Sequence, residues 1–268
     1  MKIKLTSLLL TLLVISSCTS EDDGPGDQSS GSNYFPLAIN NYWNYHNRSQ
    51  EVGMEEIQSE DSLYVAGASG NSYTLDAEQP VEGLTTSLFA NGSLKKNGTQ
   101  LLYTGSFDFM IEGMESFSIP LQNVVVYDAS ANVNTELFSV SNTLTETINT
   151  IPFKIDYTVF TTDEGDLESF EVNGTTYNDV IASKFVLELK ISAVVEFLGQ
   201  TAEIPVLDTQ EVSVGTNYYA ADVGLVKSEV VFSYELEDLS QYPIELPMAQ
   251  TATVNSSQEL TTYVAVED

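Results

Sequence analysis

A chain of 268 residues with one histidine, one cysteine and 39 carboxylates has few routes to chemistry. His46 is the sole imidazole, so a histidine metal cluster is impossible and a Ser-His-Asp triad would have to pass through this one residue. No Gly-x-Ser-x-Gly phrase occurs to present a nucleophile on a sharp turn, and there is no phosphate loop or dinucleotide fingerprint. His46 is therefore expected to be a structural or surface residue. With 39 acidic side chains some pair lies at any chosen separation, so paired carboxylates alone do not argue for a glycosidase. The densest acidic run, Asp163-Glu164-Gly165-Asp166-Leu167-Glu168, reads as a turn between two strands. Asp163, Glu164 and Asp166 make it a weak calcium candidate, without the alternate-position spacing of a calcium loop. Trp43, flanked by Tyr42 and Tyr45, is the one aromatic set that could stack a sugar ring, although a single Trp in a strand is more often core. No cofactor is expected.

The thiol has a different role. Lys2 and Lys4 precede an apolar run from Leu5 to Ile15, and small residues lead to Cys18, the three parts of a secretory signal. The run falls short of the roughly 20 residues that a spanning helix needs. Ile15-Ser16-Ser17-Cys18 resembles the lipobox of bacterial lipoproteins, which implies cleavage after residue 17 and acylation of Cys18, palmitate included. A lone cysteine permits no internal disulfide, so the fold must be held by its core. Residues 18–32 then form an expected flexible, acidic tether. From Thr19 to Ser32 there is no apolar side chain, and such a coil would hold a domain on the order of 20 Å from the lipid. The run Ser20-Glu21-Asp22-Asp23 resembles the export signal that carries Bacteroidetes-type lipoproteins to the outer face of the outer membrane.

The formal net charge is −30, and removing Lys2 and Lys4 makes the chain more acidic still. Such a field repels phosphate backbones and anionic headgroups, so no nucleic-acid partner is expected and membrane attachment should rest on the anchor at Cys18. With 42% hydrophobic residues, 12 Phe and 14 Tyr, residues 33–268 can bury one sizeable core and form a single domain. That domain opens on Asn33-Tyr34-Phe35-Pro36-Leu37, then an Asn40-Asn41 turn, then Tyr42-Trp43-Asn44-Tyr45. It later carries Val172-Asn173-Gly174-Thr175-Thr176-Tyr177-Asn178-Asp179-Val180 and Tyr218-Tyr219-Ala220-Ala221-Asp222-Val223-Gly224-Leu225-Val226-Lys227. These phrases resemble those of a large group of bacterial lipoproteins and periplasmic β-proteins, and the resemblance implies architecture without catalytic residues. Asp61-Ser62-Leu63 resembles the short O-glycosylation acceptor of Bacteroidetes-type bacteria, with Ser62 as the acceptor.

The elements that would position these residues are strands. Phe153, Ile155, Tyr157 and Val159 alternate with polar residues, and Phe185, Leu187, Leu189, Ile191, Ala193, Val195 and Phe197 hold a spacing of two over a stretch longer than 40 Å at about 3.3 Å per residue. Val230, Phe232, Tyr234 and Leu236 repeat the pattern. Only Leu121 to Phe138 leaves room for a short helix. The expected fold is mainly antiparallel β, an open barrel or half-barrel similar to periplasmic lipoprotein carriers, with a two-sheet sandwich as the alternative. The expected function is non-enzymatic: a lipid-anchored envelope lipoprotein that binds an apolar or amphipathic ligand or a protein partner. The alternatives are a surface glycan-binding or adhesion module and a carboxylate-dependent hydrolase.

Overall fold

The structure, a computed structural model, describes residues 32–109, 117–148, 150–197, 200–242, 246 and 248–266. The expected signal, Cys18 and the tether up to residue 31 lie outside the described residues. Alternation turns almost all the rest into strands: β1 (Tyr42–Glu51), β2 (Ile57–Ser69), β3 (Ser72–Ala77), β4 (Ser93–Asn97), β5 (Gln100–Phe109) and β6 (Phe117–Asp128). The second half gives β7 (Glu136–Ile148), β8 (Ile151–Val172), β9 (Thr175–Phe197), β10 (Gln200–Ala220), β11 (Gly224–Glu235) and β12 (Thr251–Val264). One helix, α1 (Leu84–Ala90), interrupts them.

All twelve strands belong to one sheet in the order β6-β5-β4-β3-β2-β1-β12-β11-β10-β9-β8-β7, paired antiparallel throughout. This is the expected open barrel rather than two packed sheets. Its curl follows from connectivity. The sheet's opposite edges, β6 and β7, are consecutive in the chain, and the eight peptide steps from Asp128 to Glu136 reach at most about 28 Å. In a flat twelve-stranded sheet those edges would stand about 50 Å apart. Bulges at Asn44/Tyr45, Val65/Gly67, Asp163/Gly165 and Tyr218/Tyr219 supply local bends. Across the seam, the Thr161 hydroxyl donates to the Val125 carbonyl at 2.7 Å, which brings β6 against the inner face of β8.

The three phrases singled out in the sequence meet at one end of the barrel. Asn40 takes a left-handed conformation (φ 76°) in the expected turn, and the buried Asn41 side chain donates to Pro36 O and Val266 O while accepting from Val266 N–H. The Phe35 ring lies 4.8 Å from Trp43 and 6.1 Å from Tyr219. Trp43 Nε1 donates to Val223 O at 2.6 Å, and the Tyr45 hydroxyl to Leu225 O at 3.0 Å. Asp179, at φ 54°, accepts from the Tyr34 and Ser32 hydroxyls, each at 2.6 Å. Burial and the Asp179 carboxylate push the Tyr34 phenol up to about 12.

Two local expectations are corrected. Leu121–Phe138 holds no helix; it contains most of β6, a link and the start of β7. Register shifts in the β5–β6 pair and the left-handed Asn123 (φ 51°) interrupt the period of two there, which hid the strand. The acidic run is not a hairpin turn but part of β8, folded into a bulge at Gly165 (φ 97°); the hairpin turns at Asn173-Gly174.

Gly224 is held at φ 112°, and a Cβ there would lie 2.6 Å from the Phe35 ring and 2.8 Å from Trp43 Nε1. Gly224→Ala is expected to lower unfolding stability by about 2 kcal/mol or more, read as a reduced urea midpoint. An unchanged midpoint would show that this end of the barrel adapts without cost.

Candidate functional site

Helix α1 lies inside the barrel, and its first turn is satisfied by the wall rather than by its own cap. Gly83, the residue before it, has no side chain to offer. Instead the buried Asp61 carboxylate on β2 accepts from Glu82 N–H at 3.1 Å and Gly83 N–H at 2.8 Å. The buried Gln258 on β12 accepts from Thr85 N–H and Thr86 N–H at 2.9 and 3.2 Å and returns a 2.6 Å bond from Nε2 to Thr86 Oγ1. Thr85 Oγ1 and Ser228 Oγ are 2.7 Å apart. Toward the other end the Tyr103 hydroxyl donates to Leu88 O at 2.8 Å. Burial, with Asp108 nearby, pushes that phenol up to about 12 against an opposing backbone contribution from Ser106, so it remains a donor at any physiological pH. Gly83 is required by this crowding: a Cβ there would sit 2.5 Å from Asp61 Oδ2.

Between α1 and the wall formed by β5, β6 and β8 to β11 lies a chamber of about 50 Å³. Phe89, Phe107, Val124, Val126 and Phe185 make it apolar, and Thr161, Ser183 and Asn217 add isolated polar atoms. Phe107 and Phe185 stack at 6.0 Å. A second cavity of about 130 Å³ adjoins the helix start, lined by Asn47, Ser59, Gly83, Ser228 and Gln258. Leu84 and Val230 line both. Ile57 and the half-exposed Arg48 border this second cavity, and Val52, Met54 and Ile57 stand strongly exposed around the nearby β1–β2 turn. An apolar lip of this kind beside an interior opening is unusual on a surface of such charge.

The residues singled out from sequence fall elsewhere. Trp43 and Tyr45 are fully buried and donate to backbone carbonyls, while Tyr42 points to the outer face at 36% exposure. The possible sugar platform is corrected on that ground: alternation on β1 puts its members on opposite sides of the sheet. His46 is half-buried on the outer side of the same strand. Asp163 is buried, whereas Glu164 and Asp166 are exposed, and among the described residues no group of three His, Cys, Asp or Glu side chains could hold a metal ion. Ser62 is half-buried and lines a groove on the barrel's outer face with Tyr42 and Tyr64. Sequence reading missed α1 and its capping side chains. Seven residues, two of them threonines, give too short a period to detect, and the helix ends at Asn91.

No family model matches the chain, and no curated protein matches it. Among solved structures, a LolA-superfamily protein from Nitrosomonas europaea is 10% identical over 87% of this chain and 88% of its own, at a TM-score of 0.20. A likeness of that size carries no argument for fold or function.

Gln258→Leu would leave Thr85 N–H, Thr86 N–H and the Thr86 hydroxyl without their wall partner. The expected cost is about 2 to 4 kcal/mol of unfolding free energy, with faster hydrogen exchange across Leu84–Ala90 than across the strands. Uniform exchange would argue that the helix does not depend on this residue. A second outcome concerns pH. Burial raises the Asp163 carboxyl above the usual range against the opposing Gly165 N–H bond, with Asp166, Asp128 and Glu164 adding to the rise. The folded state therefore binds this proton more tightly than the unfolded chain, and the stability it contributes is lost as pH rises through the raised value. Asp163→Asn, which keeps the acceptor for Gly165, should match wild type near pH 3 and exceed it at pH 7. A variant less stable than wild type at pH 7 would contradict this.

Proposed function

We propose that the chain is a lipid-anchored lipoprotein of the cell envelope whose β domain acts without catalysis, by holding an apolar or amphipathic ligand in the chamber beneath α1. The observation that carries the reading is the interior itself: an apolar space between α1 and a curved wall, adjoining at Leu84 and Val230 a second cavity edged by Ile57. Buried apolar pockets with a few placed polar atoms are how proteins hold such ligands. At about 50 Å³ the chamber accepts a short alkyl group, and a longer chain requires α1 to shift. The anchor belongs to the proposal through Ile15-Ser16-Ser17-Cys18, and exposure at the outer surface of the outer membrane through Glu21-Asp22-Asp23. Burial of Trp43 disfavours the glycan-platform reading.

Native mass spectrometry of the full-length chain carrying Cys18→Ala, purified gently from cells, is expected to show a stoichiometric adduct of lipid mass. A clean apo mass after lipid has been offered would count against a ligand carrier. The same substitution should move the protein from the membrane to the soluble fraction, and continued membrane retention would sink the anchor.

A further inference from the structure

The cavity next to the helix start contains one side chain whose hydrogen bonding is incomplete. Asn47 is 5% exposed; its Nδ2 donates to Ser59 Oγ at 3.2 Å, and its buried Oδ1 meets no hydrogen-bond donor among the described residues. Its neighbours are already engaged. Gln258 serves the α1 backbone, Ser228 pairs with Thr85, and Ser49 lies 3.2 Å from Ser256. A buried acceptor left without a donor is costly, and native structures rarely keep one unless something else fills the place.

We infer that the ligand carries an uncharged head group with a hydroxyl donor, seated against Asn47, with its alkyl portion lying past Leu84 and Val230 in the apolar chamber. This rests on the ligand-holding reading above and assigns its chemical class. The two cavities adjoin at Leu84 and Val230, which line both, and an amphiphile lying past these two side chains would have its head in one and its tail in the other. The head must donate, because the open position is an acceptor. A carboxylate or phosphate is disfavoured twice: it brings no donor to Oδ1, and it enters a protein of formal charge −30 whose nearest lining cation, Arg48, is paired with Glu259 at 3.4 Å. An ammonium supplies donors but gives up its own hydration in a buried seat, where the one lining carboxylate, Glu82, is solvent-exposed and the one lining cation, Arg48, repels it.

Four probes of matched length separate these possibilities: 1-hexanol, methyl pentyl ether, hexanoate and hexylamine, titrated into the full-length chain by calorimetry at pH 7.5. Hexanol should bind about tenfold or more tightly than the ether, which has the same size and no donor, and more tightly than either charged probe. In Asn47→Leu the margin of hexanol over the ether should fall to within about twofold, with the ether itself little changed. If Asn47→Leu does not fold, the comparison of hexanol with the ether in the wild-type chain decides the matter alone. Equal binding of hexanol and ether, or tighter binding of hexanoate or hexylamine, overturns the head-group inference and leaves the apolar-ligand reading in place. Failure of all four to bind overturns both.

Discussion

A helix whose first turn packs against the inner wall of a β-barrel must find partners there for the backbone N–H groups that the packing buries. Here the partners come from the wall: Asp61 on β2 and Gln258 on β12, from strands either side of β1, with Ser228 on β11 holding the Thr85 hydroxyl. Most other features of the interior depend on that arrangement. It fixes where α1 lies, hence how much space remains between Phe89 and the far wall. It also places polar atoms at the helix start and leaves apolar ones further in. Gly83 has to be glycine because two wall side chains crowd the point where the chain enters the helix.

The fold class was legible because alternation is a physical requirement of a sheet with one face buried, and Phe153 to Val159 and Phe185 to Ala193 obey it over long runs. The tight turn at Asn40 was legible because few residues tolerate a positive φ. Legibility failed where one residue answers to something distant. Leu121, Val124, Val125 and Tyr127 read as a possible helix because Asn123 breaks the alternation of β6. The acidic run reads as a turn because a glycine stands among its carboxylates, and in the fold that glycine, Gly165, forms a bulge within β8. Trp43 could be ranked as core from its isolation in a strand, but the carbonyl it serves, at Val223, is 180 residues away. The interior site was the least legible part. Asn47, Asp61 and Gln258 are ordinary polar letters whose roles appear only when β1, β2 and β12 lie side by side.

The charge and the core occupy different places. Exposed carboxylates cover the outside, while the inner face is built from Phe35, Trp43, Tyr45, Tyr103, Phe153 and Tyr219, all almost completely buried. Two of these buried phenols donate to backbone carbonyls, Tyr45 to Leu225 and Tyr103 to Leu88, so those side chains fill the interior with their hydroxyls engaged. With no disulfide possible, this aromatic interior and the continuous backbone ladder carry the stability of the domain.

The order of the strands has a consequence for how the chain reaches its folded state. Each strand from β1 to β6 pairs with its neighbour in sequence, and so does each from β7 to β12; the single pairing that joins the two halves is β1 with β12. The two halves are thus meanders that can zip locally, but the cylinder is locked only when the last strand slots between β1 and β11. A chain emerging N-terminus first would hold β1 as an open edge until almost all of it had appeared, and Gln258, carried on β12, would arrive last to anchor α1. Interior and closure are therefore completed by the same late event, so a chain cut short before β12 would lack both.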